Sequence, residues 1–267
     1  MKALESLSNT GHVRYFTEGS VEALAESMEK NNIDCSVNLP VMTRLDQVVQ
    51  INDNMIKNNE QMLDNGIVTF GGLHPKYDDY KAEIKRLKNA GIKGIKLHPA
   101  FQGVHINNVL YKNILDAISN EGMISIIHCG IDISFLDENY ASVPELIEVI
   151  DEVGPEKMVL AHLGGWQAWQ EVERDLAGAP VFLDTAYAFG PVYPREGQEN
   201  IMQFKMNLDN DSFTKLARKH GTDKVLFATD SPWADQGEYV KFLKNCDLND
   251  KEKDNILGLN AKKLLGL

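Results

Sequence analysis

Five apolar runs of this chain end in an imidazole or a carboxylate, and each is followed by a helix-like stretch. They are Gly71-Gly72-Leu73-His74-Pro75, Gly94-Ile95-Lys96-Leu97-His98-Pro99, Ile126-Ile127-His128-Cys129-Gly130, Leu160-Ala161-His162-Leu163-Gly164-Gly165 and Leu226-Phe227-Ala228-Thr229-Asp230-Ser231-Pro232-Trp233. Continuously apolar strands are what a parallel sheet buried on both faces requires. Strands alternating with helices predict such a sheet with its helices outside. When a parallel sheet curls into a barrel, the C-terminal ends of its strands meet at one rim. Polar strand tips distant in sequence then become neighbours.

The pattern predicts strands over 33–39, 67–73, 92–97, 123–127, 158–163, 181–183 and 225–227. Helices are expected over 21–30, 45–63, 80–89, 107–119, 143–153, 166–176, 212–219, 238–243 and 250–264, with Gly91 as a left-handed stop. A long irregular loop runs from Ala188 to about Asn207. A closed barrel of this kind has eight strands, and the strand-like runs here number one fewer. Ahead of the first strand only the weak run 13–16 looks extended. The expected fold is therefore α/β, a (β/α)8 TIM-barrel-like architecture with its first strand missing or replaced. One domain over residues 1–267 suits the chain's length, since such barrels typically take about 250 residues. A sheet left open has two unpaired edges, so a homo-oligomer, or an N-terminal segment filling the gap, is expected.

The formal charge of −12 argues against nucleic acid or an anionic membrane as partner. No run approaches the roughly 18 apolar residues of a membrane span. Cys35, Cys129 and Cys246 are odd in number and far apart, which suits neither a disulfide framework nor a zinc ribbon, so a cytoplasmic protein is expected.

Strand alternation puts Lys96 and His98 on one face; Ile124, Ile126 and His128 also share a face, as do Leu226, Ala228 and Asp230. His128, His162 and Asp230 can converge at the rim, where neutral imidazoles and a carboxylate suit zinc, and also iron or manganese. A divalent cation there would bring a bound water towards neutral pKa and make it a nucleophile. Asp230 would hold the cation and take a proton. His162 would be a ligand or would polarise a substrate oxygen. Cys129 alternates away from His128 and reads as an inert buried thiol. Trp166 and Trp169 read as packing residues, and His105 and His220 as surface residues.

In these motifs, and in the tail Ile256-Leu257-Gly258-Leu259-Asn260-Ala261-Lys262-Lys263-Leu264-Leu265, the chain resembles the amidohydrolase superfamily of metal-dependent barrels, in particular amidohydrolase family 2. By that likeness His128 corresponds to the fifth-strand metal ligand, His162 to the sixth-strand histidine and Asp230 to the eighth-strand aspartate. Lys96 and His98 fall on the fourth strand, where relatives place a bridging ligand or a substrate contact. The family opens with a strand ending in His-x-His. No His-x-His occurs in this sequence, where His12 stands alone in Gly11-His12-Val13. The simplest explanation is that this chain begins one strand late, through an internally assigned start codon or a truncated gene, and an in-frame His-x-His just upstream of the Met1 codon would settle it.

The expected activity is that of an amidohydrolase-type hydrolase, with metal-activated water attacking a C–N or C–O bond of a small-molecule substrate. A decarboxylase of the same branch is the alternative, and an inactive barrel acting as a binding protein is the third reading. The catalytic set is Asp230 and His162; the metal set is His128, His162 and Asp230. Substrate contacts fall to Lys96, His98, His74 and Trp233. His74 reads equally as a structural group beside Pro75, Lys96 as a lysine paired with an interior acid, and Arg195 as a carboxylate anchor or a solvated side chain.

Overall fold

The computed structural model describes residues 2–200 and 206–267. Its strands are β1 (Ser36–Asn38), β2 (Ile67–Thr69), β3 (Gly71–Gly72), β4 (Gly94–Leu97), β5 (Ile124–Ile127), β6 (Met158–Leu160), β7 (Phe182–Asp184) and β8 (Val225–Leu226). Every recorded strand pairing is parallel, and neighbours in the sheet are neighbours in sequence. β2 and β3 are two pieces of one run interrupted at Phe70, whose N–H still donates to Asn38 O at 3.0 Å. The named strands thus occupy seven sheet positions in sequential order, a partial TIM-type barrel in which no pairing of β8 with β1 is recorded among the described residues.

The alternation expected from the sequence separates two apolar layers. Val68, Phe70, Ile124, Ile126, Val159, Ala161 and Leu226 point inside, with Leu265 of the closing helix Asn260–Leu265 packed among them. Ile95, Leu97, Ile127, Leu160 and Leu183 face outward against Ile84, Leu87, Ile114, Leu146 and Phe213 of the surrounding helices. At about 25 cal/mol per Å2 of apolar area buried, these two layers are the main favourable term in folding.

The edges flanking the gap differ. Just past β8, Phe227 N–H donates to Ile256 O at 2.9 Å, and on the strand Val225 O accepts from Asn260 Nδ2 at 2.8 Å. The C-terminal segment therefore satisfies the groups that a further strand would have paired. On β1, Ser36 N–H and Asn38 O are engaged towards β2, and no bond to the other side is recorded among the described residues.

Residues before β1 form two helices, Lys2–Gly11 and Val21–Asn31. The first of these lacked a sequence signal. The run 13–16 does not enter the sheet. Val13 bridges Pro194 in antiparallel fashion, and Arg14 N–H reaches Tyr193 O at 3.0 Å. This lays the run against the loop after β7, part of which, 201–205, lies outside the described residues. Arg195 is neither of the things expected of it: its guanidinium bonds Glu5 and, at 3.0 Å, Ser8 Oγ, so it clamps the N-terminal helix to that loop. His220 is also corrected. It is buried, with Nε2 3.0 Å from Val181 O and Nδ1 accepting Gly178 N–H at 3.2 Å. The last turn of helix Asn210–His220 packs against the sheet, and two backbone groups satisfy the ring.

Candidate metal centre

Lys96 lies on the inner face of β4, and His98 follows the strand as cap of the short helix Pro99–Gln102. His128 lies one residue beyond β5. His162 and Leu163 form a turn after β6 with φ of +58° and +52°, a left-handed backbone that non-glycine residues adopt at a cost of about 1–3 kcal/mol each. The turn is held from several sides. Asp184 Oδ1 accepts from both His162 N–H and Ala186 N–H at 3.0 Å, and Trp169 Nε1 donates to His162 O at 2.9 Å.

A chain of hydrogen bonds fixes the imidazole protons. Ala186 O can only accept, so His162 Nδ1, 2.8 Å away, holds a proton. The unprotonated His162 Nε2 then accepts from His128 Nδ1 at 2.9 Å. His128 Nε2 is left with a free lone pair, and this buried atom has no hydrogen-bond partner among the described residues. It faces Asp132 Oδ2 at 3.7 Å, and His98 Nε2 lies 3.6 Å from the same oxygen. Ligand atoms of His98, His128 and Asp132 all lie within 4.8 Å of one another, and all three residues are buried. The His98 and His128 rings stack with centroids 4.1 Å apart.

The electrostatics match a cation. Burial, and then neighbouring positive groups, push His98 and His128 well below the ordinary imidazole range; burial lowers His162 to about 4. All three rings are therefore neutral at neutral pH; both nitrogens of His162 are already engaged, so it stands behind His128 and not among the candidate ligands. Burial pushes the Asp132 carboxyl up to about 6, the mark of a carboxylate lacking a compensating charge. His128 Nε2 and Asp132 thus fit a divalent cation as they stand. His98 accepts a long bond from Phe101 N–H at Nδ1 (3.4 Å), so its Nε2 bears the proton and must yield it by tautomerisation to ligate. Imidazole and carboxylate donors suit zinc and manganese alike.

Lys96 is buried among acids. Desolvation lowers its pKa, and Asp184 and Asp230 pull it back up. Asp184 is raised by burial and lowered by His162 and Lys96. Asp230 follows β8 with φ +59°. The residue as a whole is exposed at the rim. Burial raises its pKa and Lys96 lowers it. Asp230 is outside the three-residue group but close enough to Asp132 to raise that carboxyl.

The sequence-predicted residues are thus partly assembled: His128 and His162 are hydrogen-bonded, and Lys96 and Asp230 interact. His74 is buried, its Nδ1 accepting Lys76 N–H at 3.2 Å. Trp233 is half-buried, its N–H closing a turn on Asp230 O at 2.8 Å. Cys129 faces the outer layer, and burial raises its thiol. His105 is half-buried, 2.7 Å from Glu145. Sequence reasoning missed Asp132 and Asp184. Asp132 sits four residues after His128, beyond a turn at Gly130 with φ +85°. Asp184 ends an apolar run as the other tips do, and the brevity of β7 hid it.

An amidohydrolase family model matches residues 49–267, and the chain belongs to the amidohydrolase family. No curated protein matches it. Among solved structures it is similar to 5-carboxyvanillate decarboxylase from Sphingomonas paucimobilis, at 15% identity and TM-score 0.66, covering 92% of this chain and 82% of that one. It is similar to 2,6-dihydroxybenzoate decarboxylase from Rhizobium, at 11% identity and TM-score 0.67, covering 92% and 88%. A third similar structure is dihydroxybenzoic acid decarboxylase from Polaromonas sp. JS666 with bound manganese, at 13% identity and TM-score 0.66, covering 91% and 85%. At these identities the likeness establishes the shared barrel fold. No helix among the described residues is long and apolar enough to cross a membrane.

Proposed function

We propose that this chain is a divalent-metal-dependent decarboxylase of a small carboxylic acid, with hydrolysis of a C–N or C–O bond as the second reading. The observation that carries metal dependence is the orphaned His128 Nε2 facing a carboxylate whose pKa burial has raised. Support for decarboxylation over hydrolysis comes from the three similar structures described above, all decarboxylases of hydroxylated aromatic acids and one of them with bound manganese. His128, Asp132 and His98 would hold zinc or manganese. Such a cation supplies Lewis-acid charge that stabilises negative charge developing on substrate oxygens.

The chain's own groups divide the remaining work. The Lys96 ammonium, close to both Asp184 and Asp230, orients the substrate carboxylate. His162, locked by Ala186 O and the Asp184-held turn, orients His128 and keeps it neutral. As the C–C bond breaks, its electron pair stays on the substrate carbon and CO2 departs. Asp230, when it carries a proton, delivers it to that carbon and is reprotonated by water. His74 and Trp233 border the substrate. In the hydrolytic reading Asp230 instead takes a proton from water. Self-association across the open sheet is part of the proposal, and sedimentation velocity tests it.

Carbon dioxide release from a panel of aromatic and unsaturated acids, run beside an amide and lactone panel, tests the reaction. Purified protein should retain near-stoichiometric zinc or manganese, and His128→Ala should lose it. CO2 release that persists in metal-free protein would overturn the proposal. Turnover confined to the amides or lactones would establish the second reading.

A further inference from the structure

Three loops at the rim of the sheet meet on one buried amide. Asn207 closes the long loop after β7 and is buried. Its Oδ1 accepts Trp166 Nε1–H at 3.0 Å and Gln167 Nε2–H at 3.1 Å, both from the loop after β6. Its Nδ2 donates to Tyr187 O at 3.0 Å, in the turn after β7. Tyr187 and Gln167 have φ of +49° and +64°, a left-handed backbone that persists only where neighbours over-determine it. Each partner leads to the centre. Trp166 N–H donates to Cys129 O at 3.0 Å, and Trp166 bridges Gly130, so it holds the turn between His128 and Asp132. Tyr187 follows Ala186, whose carbonyl fixes the His162 proton and with it the His128 tautomer. The backbone around Asn207 is held apart from its side chain: Asn207 N–H donates to Gly190 O at 2.7 Å, and Leu208 N–H to Ala188 O at 3.0 Å. Removing the amide therefore cuts the links without freeing the loop.

We propose that Asn207 is a positioning residue for the metal centre, fixing the turn between His128 and Asp132 through Trp166 and the His162–His128 pair through Tyr187. The proposal rests on the metal centre of the proposed function. A donor free to swing spends less time in ligating geometry, so groups that orient ligands from behind set metal affinity. Removing such a group typically costs about 10- to 100-fold in affinity. Asn207 stands one residue further back than those groups, and the low end of that range, about tenfold, is expected.

The test pairs calorimetric titration of manganese(II) into the metal-free chain with proton NMR of the His162 ring. Asn207→Ala should bind manganese about tenfold more weakly, and its His162 Nδ1 proton should exchange with water about tenfold faster than in wild type. Asn52→Ala is the control. It removes another buried amide, bonded to Gly72 and Glu83 from helix Val48–Asp64, and should lose stability while leaving both readings within about twofold of wild type. Asn207→Asp keeps an acceptor for Trp166 and Gln167 but cannot donate to Tyr187 O. It should also speed His162 exchange, and it carries the test if the alanine variant does not fold. An unchanged His162 proton, an unchanged manganese affinity in Asn207→Ala, or equal weakening of manganese by Asn52→Ala would overturn the proposal. If wild type binds no manganese, the metal centre itself is refuted, and His162 exchange alone decides the positioning role.

Discussion

Asp132 is where stability and the proposed function oppose each other most directly. Burial raises its carboxyl from 3.8 to about 6, a shift of roughly two units at 1.36 kcal/mol each, or about 3 kcal/mol. Because the folded-state value lies above the unfolded one, the favourable contribution is present at low pH and is lost as pH rises through about 6. At pH 8 the metal-free fold therefore bears the full cost of an ionised buried carboxylate. Asp132→Asn removes the charge and keeps an oxygen to accept Ser134 N–H, now bonded at 2.7 Å. In urea at pH 8, with metal chelated, the variant should be more stable than wild type by about 2–3 kcal/mol, and the difference should vanish below about pH 4. Added manganese at a hundred times its dissociation constant should stabilise wild type by about 2.7 kcal/mol and leave the variant unmoved. A variant less stable than wild type at pH 8 without metal, or one that gains as much from manganese, would refute the assignment of Asp132 as an uncompensated ligand.

Three further perturbations read other parts of the site and its frame. At Gly130 an added Cβ would lie 2.2 Å from Trp166 N at φ +85°, whereas at Gly103 (φ +61°) it meets nothing within 4 Å. Gly103→Ala should cost about 1–2 kcal/mol and Gly130→Ala clearly more, with loss of metal retention; equal costs by urea denaturation would contradict the close approach of the two loops. His162 has a folded-state pKa depressed to about 4, so its contribution is present above about pH 6.5 and is lost on acidification towards 4. His162→Gln should flatten that limb of the metal-free pH–stability curve by up to about 3 kcal/mol, and an unchanged limb would move the acid sensitivity elsewhere. Asn260→Ala removes a partly buried bond to Thr222 O and a buried one to Val225 O, both of 2.8 Å. It should cost about 1–3 kcal/mol and increase aggregation seen by light scattering, since it uncovers an edge of β8.

The sheet was legible in the sequence because strand period and burial act together. A run apolar on both faces and closed by a polar tip has few places to go other than the interior of a parallel sheet. The parity of Lys96 with His98, and of Cys129 against His128, followed from the same alternation. What the sequence hid was set by contacts across the chain. Asp132 becomes a site residue only because the Gly130 turn brings its loop against Trp166. Arg195 has a partner only once the helix Lys2–Gly11 exists to present Glu5. His220 closes the basic run Arg218-Lys219-His220, which reads as solvated surface until the last helical turn is packed.

The gap between β8 and β1 bears unequally on the candidate centre. His98, His128, Asp132, His162 and Asp184 all follow or end β4 to β7, strands paired on both sides. The three-residue group and the proton chain behind it therefore stand on the continuous part of the sheet. Asp230 alone follows an edge strand. Its approach is tied to β7 by Thr185, whose Oγ1 accepts Ala228 N–H and donates to Ala228 O, both at 2.8 Å. It is tied to the C-terminal segment by the Phe227–Ile256 bond. One hydroxyl and one helical turn thus do for Asp230 what a neighbouring strand does for the other residues. A polar group placed by so few contacts is also the one best able to move, which suits a proton carrier facing solvent better than it suits a fixed ligand.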